Sequence, residues 1–200
     1  VYKFGGASVR NADGVRNLAH IVEGEDSLFI IVSAMGKTTN ALERVFAHMQ
    51  NGHKEEANEE IKQIQAYHAE IIDDLWGEHT DINEVTLLFG QLRNIVNDIV
   101  YRSTDAELWY DTIVAFGELI STTIISKYLN HAGLRNRWID MRTTLLTNQR
   151  HKDANVDIKA SKHRLRAALE NTGVGVFVGQ GFIGGAPDGT TTTLGREGSD

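Results

Sequence analysis

The sequence predicts an α/β fold, a three-layer αβα sandwich with a mainly parallel sheet and a helical insertion. Short apolar runs rich in β-branched residues, such as SLFIIV at 27–32, have the length and composition of strands buried on both faces. Strand and helix patterns alternate near the start of the chain and again toward its end, as parallel βαβ units require. Between them, long helical patterns follow one another in greater number than an ordinary crossover connection holds.

Val1 to Phe4 reads as a strand that Gly5 and Gly6 end at a tight turn, and a helix follows from Ala12 to Val22. Ser27 to Val32 is the next strand, and it runs into the small polar loop SAMGKTTN at 33–40. ALERVFAHM then sets Leu42, Val45, Phe46 and Met49 on one helical face. From Lys54 to Trp76, Ile61, Ile64, Ile71, Ile72 and Leu75 recur mostly at steps of three and four. Thr80 and Asp81 precede a helix through Val85, Leu88, Leu92, Val96 and Ile99. Asp105 to Tyr128 is a further helix, with Val114, Ile120, Ile124 and Ile125 buried, so the region from about 54 to 131 is mainly helical. Alternation then returns, with a strand over Leu134–Ile139, a helix over Ile158–Leu169 and a strand over Val174–Val178. The turn Pro187-Asp188-Gly189 leads into a hairpin strand at Thr190–Thr193.

Composition narrows the function. The 20 Lys and Arg against 27 Asp and Glu leave a formal charge of −7, so the surface as a whole repels a nucleic-acid backbone and an anionic ligand needs a local trap. With no cysteine, disulfides and thiolate chemistry are excluded, which fits a cytoplasmic location. No apolar run is expected to span a membrane. The eight histidines form no His-Glu-x-x-His array and read as surface residues for nearly all.

Two motif matches mislead. Gly36-Lys37-Thr38 follows a strand, but the phosphate-binding loop needs glycine where Ile31 stands. Gly179-Gln180-Gly181-Phe182-Ile183-Gly184 matches a dinucleotide fingerprint, yet Gly185, Pro187, Asp188 and Gly189 follow it where a helix should begin.

The chemistry gathers elsewhere. Phosphoryl transfer to a carboxylate needs a cation at the transferring oxygens, unobstructed backbone N–H groups for phosphate, and charges that orient the acceptor. Lys3 beside Gly5 and Gly6 suits the first two needs, although a strand lysine is commonly just an edge residue. The closing run TTTTLGREGSD joins strand-forming threonines to small residues, an Arg fork and a carboxylate, where Ser199 and Asp200 alone would read as helix caps. Glu118 lies in the apolar helix segment FGELIS, where a charge needs a partner.

These segments together resemble the catalytic domain of the aspartate kinases, within the amino-acid kinase family. KFGGASV at 3–9, SAMGKTTN at 33–40, FGELIS at 116–121, QGFIG at 180–184 and TTTTLGREGSD at 190–200 fall in that family's order. The resemblance implies that Lys3 and Asp200 are catalytic and that Lys3, Gly5, Gly6 and Ser8 hold the nucleotide phosphates. It implies that Ser33, Thr39, Glu118, Phe182, Arg196 and Ser199 form the amino-acid pocket, with Arg196 on the α-carboxylate and Glu118 on the ammonium. The expected reaction passes the γ-phosphate of ATP, with Mg2+, to the β-carboxylate of L-aspartate, the first step toward lysine, threonine and methionine. No residue is assigned as a metal ligand. Neither nucleic acid nor membrane is an expected partner, and the full-length protein is expected to be a homo-oligomer. Another enzyme of the same family, or a catalytically incomplete fragment with a binding or structural role, is the alternative. Ala7 stands where the family commonly has Thr, and Glu197 replaces a frequent glycine. By this resemblance, residues 1–200 are the N-terminal part of a catalytic domain, truncated before its nucleotide-binding half and any ACT domains.

Overall fold

The computed structural model describes residues 1–78, 80–98, 103–170 and 172–195. Four strands, β1 (Tyr2–Phe4), β2 (Leu28–Val32), β3 (Asn136–Ile139) and β4 (Val176–Gln180), form a parallel sheet in the order β1-β2-β4-β3. A separate antiparallel hairpin pairs β5 (Ile183–Gly185) with β6 (Thr191–Thr193). β5 has no counterpart in the sequence pattern, since three residues with two glycines carry little strand signal.

Alternation along β2 divides the core into two halves. Leu28, Ile30 and Val32 are buried in a large cluster shared with α1 (Ala12–Val22), α2 (Thr38–Gln50), α3 (Lys54–Trp76), α4 (Asn83–Asp98) and α5 (Ala106–His131). Phe29 packs on the opposite face with Phe177, their rings 6.2 Å apart, against residues of α6 (Met141–Thr144) and α7 (Ile158–Leu169). Helices therefore cover both faces of a mainly parallel sheet, the layered α/β architecture predicted from the sequence.

Local chemistry sets the helix starts. Asn11 accepts from Gly14 N–H at 3.0 Å ahead of α1, and Asp157 accepts from Ala160 N–H at 2.9 Å ahead of α7. α2 begins at Thr38, inside the stretch read as loop, because the buried Thr38 hydroxyl donates to Met35 C=O at 2.7 Å and ties the first turn to the strand end. In α4 the buried ring is Phe89, with Leu88 only half-buried, while Ile99 lies outside the described residues.

α5 is the central element. It packs against α2, α4, β3, β4 and β6. Against the expectation that no apolar run spans a membrane, it is long and apolar enough to cross one, but 72% of its most apolar window is buried inside the fold. A helix surrounded by protein must be apolar on every side. Histidine gives a second correction: His68 is fully buried in α3, its Nδ1 2.7 Å from Ile64 C=O, and desolvation lowers its pKa to about 4.

Candidate functional site

The ends of β1, β2 and β4 converge where a parallel sheet presents ligands, outside the carboxyl ends of its strands. Ser33 N–H donates to Phe4 C=O at 3.1 Å, Gly36 N–H to Gly6 C=O at 2.9 Å, and Gly181 N–H to Val32 C=O at 3.0 Å. The three loops thus form one hydrogen-bonded rim. Lys3, at an exposed strand position, lies beside Ile31 in the register of β1 with β2, one residue before that rim. Gly5 faces open space, and Ser8 N–H closes the turn back onto Gly5 C=O at 2.9 Å.

Glycine is required where the rim is tightest. A Cβ on Gly6 would stand 2.4 Å from Ala34 carbonyl oxygen, and one on Gly117 of α5 would stand 2.8 Å from Ala34 Cβ. Both glycines let the β1 loop and α5 close on Ala34. Glu118 is consequently held directly under the rim.

Glu118 is 2% exposed. One carboxyl oxygen, Oε1, accepts from Ala34 N–H at 3.2 Å, whereas Oε2 is buried without a hydrogen-bond partner among the described residues. Burial pushes its pKa up to about 8, against the smaller opposing effect of the Ala34 N–H. A buried carboxyl this poorly satisfied is costly on its own and is set to receive a cation or a donor. Ser121, one turn further along α5, donates to Ser33 C=O at 2.9 Å and fixes the helix against the β2 loop.

Phe182 occupies the loop between β4 and β5 at φ 63°, a left-handed conformation that a bulky residue rarely adopts. Ile183 N–H bonds Gly181 C=O at 2.7 Å across it, and the ring packs against Ala115, Leu119 and Ile183. Such backbone strain persists where surrounding structure imposes it, often beside a ligand. Thr39 is half-buried in the first turn of α2. The structure thus gathers Gly5, Gly6, Ser33 and Glu118 along one rim, with Lys3 leading into it and Phe182 on the loop directly after Gly181. Arg196, Ser199 and Asp200 lie outside the described residues, as does Glu197.

Gln180, in the motif that the sequence singled out, has a structural role. It is buried at the end of β4, with Oε1 accepting from Met141 N–H and Nε2 donating to Thr122 Oγ1, both at 2.8 Å. A groove of about 730 Å³ lined by Arg10, Lys37, Arg44, Glu60 and Tyr67 lies between α2 and α3 and includes none of Ser33, Glu118 or Phe182. Its Arg44 is already paired with Glu60 at 2.9 Å. Volume therefore does not mark the strand-end site; its buried, half-satisfied carboxyl does.

Sequence reasoning missed Asp111, which is fully buried on α5 and accepts from His151, Lys152 and Thr193. The signal was available as a second carboxylate in the apolar segment WYDTIVAFGELIS, seven residues before Glu118.

The amino acid kinase family model matches residues 1–200. Lysine-sensitive aspartokinase 3 of Escherichia coli (strain K12) is 31% identical over 202 residues, covering all of this chain and 44% of that protein. Among solved structures, E. coli aspartokinase III in complex with lysine and aspartate superposes with a TM-score of 0.85 at 28% identity, covering 99% of this chain and 44% of that one. The same enzyme in complex with aspartate and ADP gives a TM-score of 0.83 at 27% identity, with the same coverage. The chain spans less than half the length of these relatives.

Proposed function

The chain belongs to the amino acid kinase family, and from that premise we propose that it carries the amino-acid-binding and phosphate-facing part of an ATP-dependent aspartate kinase. The buried Oε2 of Glu118, unpartnered among the described residues, carries this reading. The α-ammonium of an amino acid supplies the donors and positive charge that this oxygen lacks. The two solved structures of E. coli aspartokinase III that hold aspartate, one of them with ADP, support aspartate as the acceptor.

In this reading Glu118 binds the ammonium and Ser33, Thr39 and Phe182 shape the pocket, with Arg196 and Ser199 assigned from the sequence to the remainder of the amino acid. Lys3, Gly5, Gly6 and Ser8 face the phosphates, and the open side of Gly5 fits an approaching oxyanion, which a side chain there would obstruct. Mg2+, bound with the nucleotide, would neutralise phosphate charge. Among the described residues no group of three or more His, Asp or Glu could hold a metal ion, so a metal here would depend on the phosphates and on residues such as Asp200. The β-carboxylate of aspartate attacks the γ-phosphorus in line, giving 4-phospho-L-aspartate and ADP. The acceptor is already ionised, so alignment and charge neutralisation carry the step without a general base.

Isothermal titration of the 200-residue chain near pH 7, in two buffers of different ionisation enthalpy, tests the assignment. A carboxyl with a pKa of about 8 is mostly protonated there, so pairing with the ammonium should release close to one proton per aspartate bound. Glutamate should bind at least about tenfold more weakly, and N-acetyl-aspartate, which lacks the ammonium, should not bind measurably. N-acetyl-aspartate binding as tightly as aspartate, with no proton release, would reject the site.

A further inference from the structure

We propose that Asp111 is a positioning residue that holds β6 and the Phe182 turn in register with Glu118. The inference rests on the amino-acid-binding reading of Glu118 and adds a residue to it. Asp111 and Glu118 lie seven residues apart on α5, nearly two turns, so they share a face about 10 Å apart along the axis.

The Asp111 carboxylate gathers four donor groups. Thr193 Oγ1 donates to Oδ1 at 2.6 Å and Thr193 N–H to Oδ2 at 3.1 Å, while Lys152 N–H lies 3.2 and 3.0 Å from the two oxygens. His151 Nδ1 stands 2.9 Å from Oδ2, which makes it the protonated nitrogen of that ring. Two carboxylate oxygens offer about four lone-pair directions, and this arrangement uses them fully. An amide has one acceptor oxygen and could not receive the same set.

The knot leads toward the site. Thr193 ends β6, its C=O accepts from Ala154 N–H at 2.9 Å, and the next residue, Leu194, donates its N–H to Phe182 C=O at 2.9 Å. Phe182 is the strained residue that packs on Ala115 and Leu119, which flank Glu118 on α5. One helix therefore presents the ammonium-binding carboxyl and, through Asp111, Thr193 and Leu194, fixes the Phe182 turn that packs beside it. Lys152, itself at φ 65°, lies with its Nζ 4.6 Å from the centre of the Tyr110 ring, adding a second tie between the 148–155 loop and α5.

The test compares Asp111→Asn, Thr193→Val, their combination, and Ile61→Val, a core change in α3 that serves as a stability control. Aspartate affinity is read by titration and amide hydrogen exchange by mass spectrometry or NMR. Asp111→Asn should weaken aspartate binding at least about tenfold and Thr193→Val about threefold, with the double variant no weaker than Asp111→Asn alone, since both act through one contact. Exchange should accelerate at the Thr193, Leu194 and Ile183 amides and stay unchanged at Ile30 in β2. Ile61→Val should lower Tm while leaving affinity within about twofold. Asp111→Asn binding aspartate within twofold of the parent, or unchanged exchange at Leu194, overturns the proposal. If the parent binds no aspartate but Asp111→Asn still releases the Leu194 and Ile183 amides, the positioning stands and the ligand reading fails.

Discussion

Two buried carboxylates on one helix have opposite surroundings. Asp111 is fully buried and saturated with donors from His151, Lys152 and Thr193, whereas Glu118 is 2% exposed and has one 3.2 Å bond to Ala34 N–H. Desolvation burdens both, but protein donors replace the lost water on both oxygens of Asp111 and on only one of Glu118. The difference separates a carboxylate that completes the fold from one left open for a ligand. Burial or charge alone would class them together.

Removing each side chain should break the symmetry most visibly. Asp111→Ala leaves the two buried Thr193 donors, and the part-buried Lys152 N–H, without their acceptor and should cost about 3–5 kcal/mol of stability, since each buried donor left unsatisfied costs about 1–3 kcal/mol. Glu118→Ala removes a group that is poorly satisfied already, at the expense of one hydrogen bond and a small cavity, and should cost at most about 1–2 kcal/mol. Urea denaturation of both variants at pH 7 measures this. Equal losses would mean that Glu118 has a structural partner equivalent to that of Asp111.

The pH dependence should be the next largest effect, and its sign is opposite for Glu118 and His68. The folded state raises the Glu118 pKa from 4.5 to about 8, so it binds a proton that the unfolded chain releases. Its stabilising contribution is full below pH 4.5 and is lost as pH rises through 8. His68 is lowered from 6.5 to about 4, so its contribution is present above 6.5 and lost as pH falls through 4. Of these two groups, it is Glu118 that gives the slope between 6.5 and 8. Stability of the parent should fall across that window by a few kcal/mol at most, while Glu118→Gln should stay nearly flat there. A parallel decline in both proteins would show that another group titrates.

The contrast also explains what could be read in advance. Helices α1, α3 and α7 were legible to the residue because their apolar spacing and flanking Asn11, Gly77 and Asp157 agree on one answer. Strand ends drifted by two residues at β3 and β4, since glycine and polar residues there are decided by loop packing. Glu118 could be singled out from FGELIS, but its orphan oxygen could not, because it depends on Ala34 arriving across 84 positions of sequence. Asp111 escaped for the same reason, as its partners lie 40, 41 and 82 positions away. His68 was legible in principle, standing on the apolar stripe between Ile64 and Ile71, but composition weighed against burying it.

The smallest effect tests how sharply the open carboxyl depends on its frame. Ser121 Oγ lies 2.9 Å from Ser33 C=O and 3.2 Å from Glu118 C=O, so its single proton is shared between the β2 loop and its own helix. Ser121→Ala removes this tie while leaving the Ala34–Glu118 bond in place. The loss should be about 1 kcal/mol in urea denaturation, typical of one neutral hydrogen bond. Aspartate affinity should fall by no more than about threefold, since Ser33 keeps its N–H bond to Phe4 C=O and the rim stays closed. A loss of about thirtyfold with unchanged stability would place the Ser121 hydroxyl on the ligand itself, and the open end of α5 would then extend a full turn beyond Glu118.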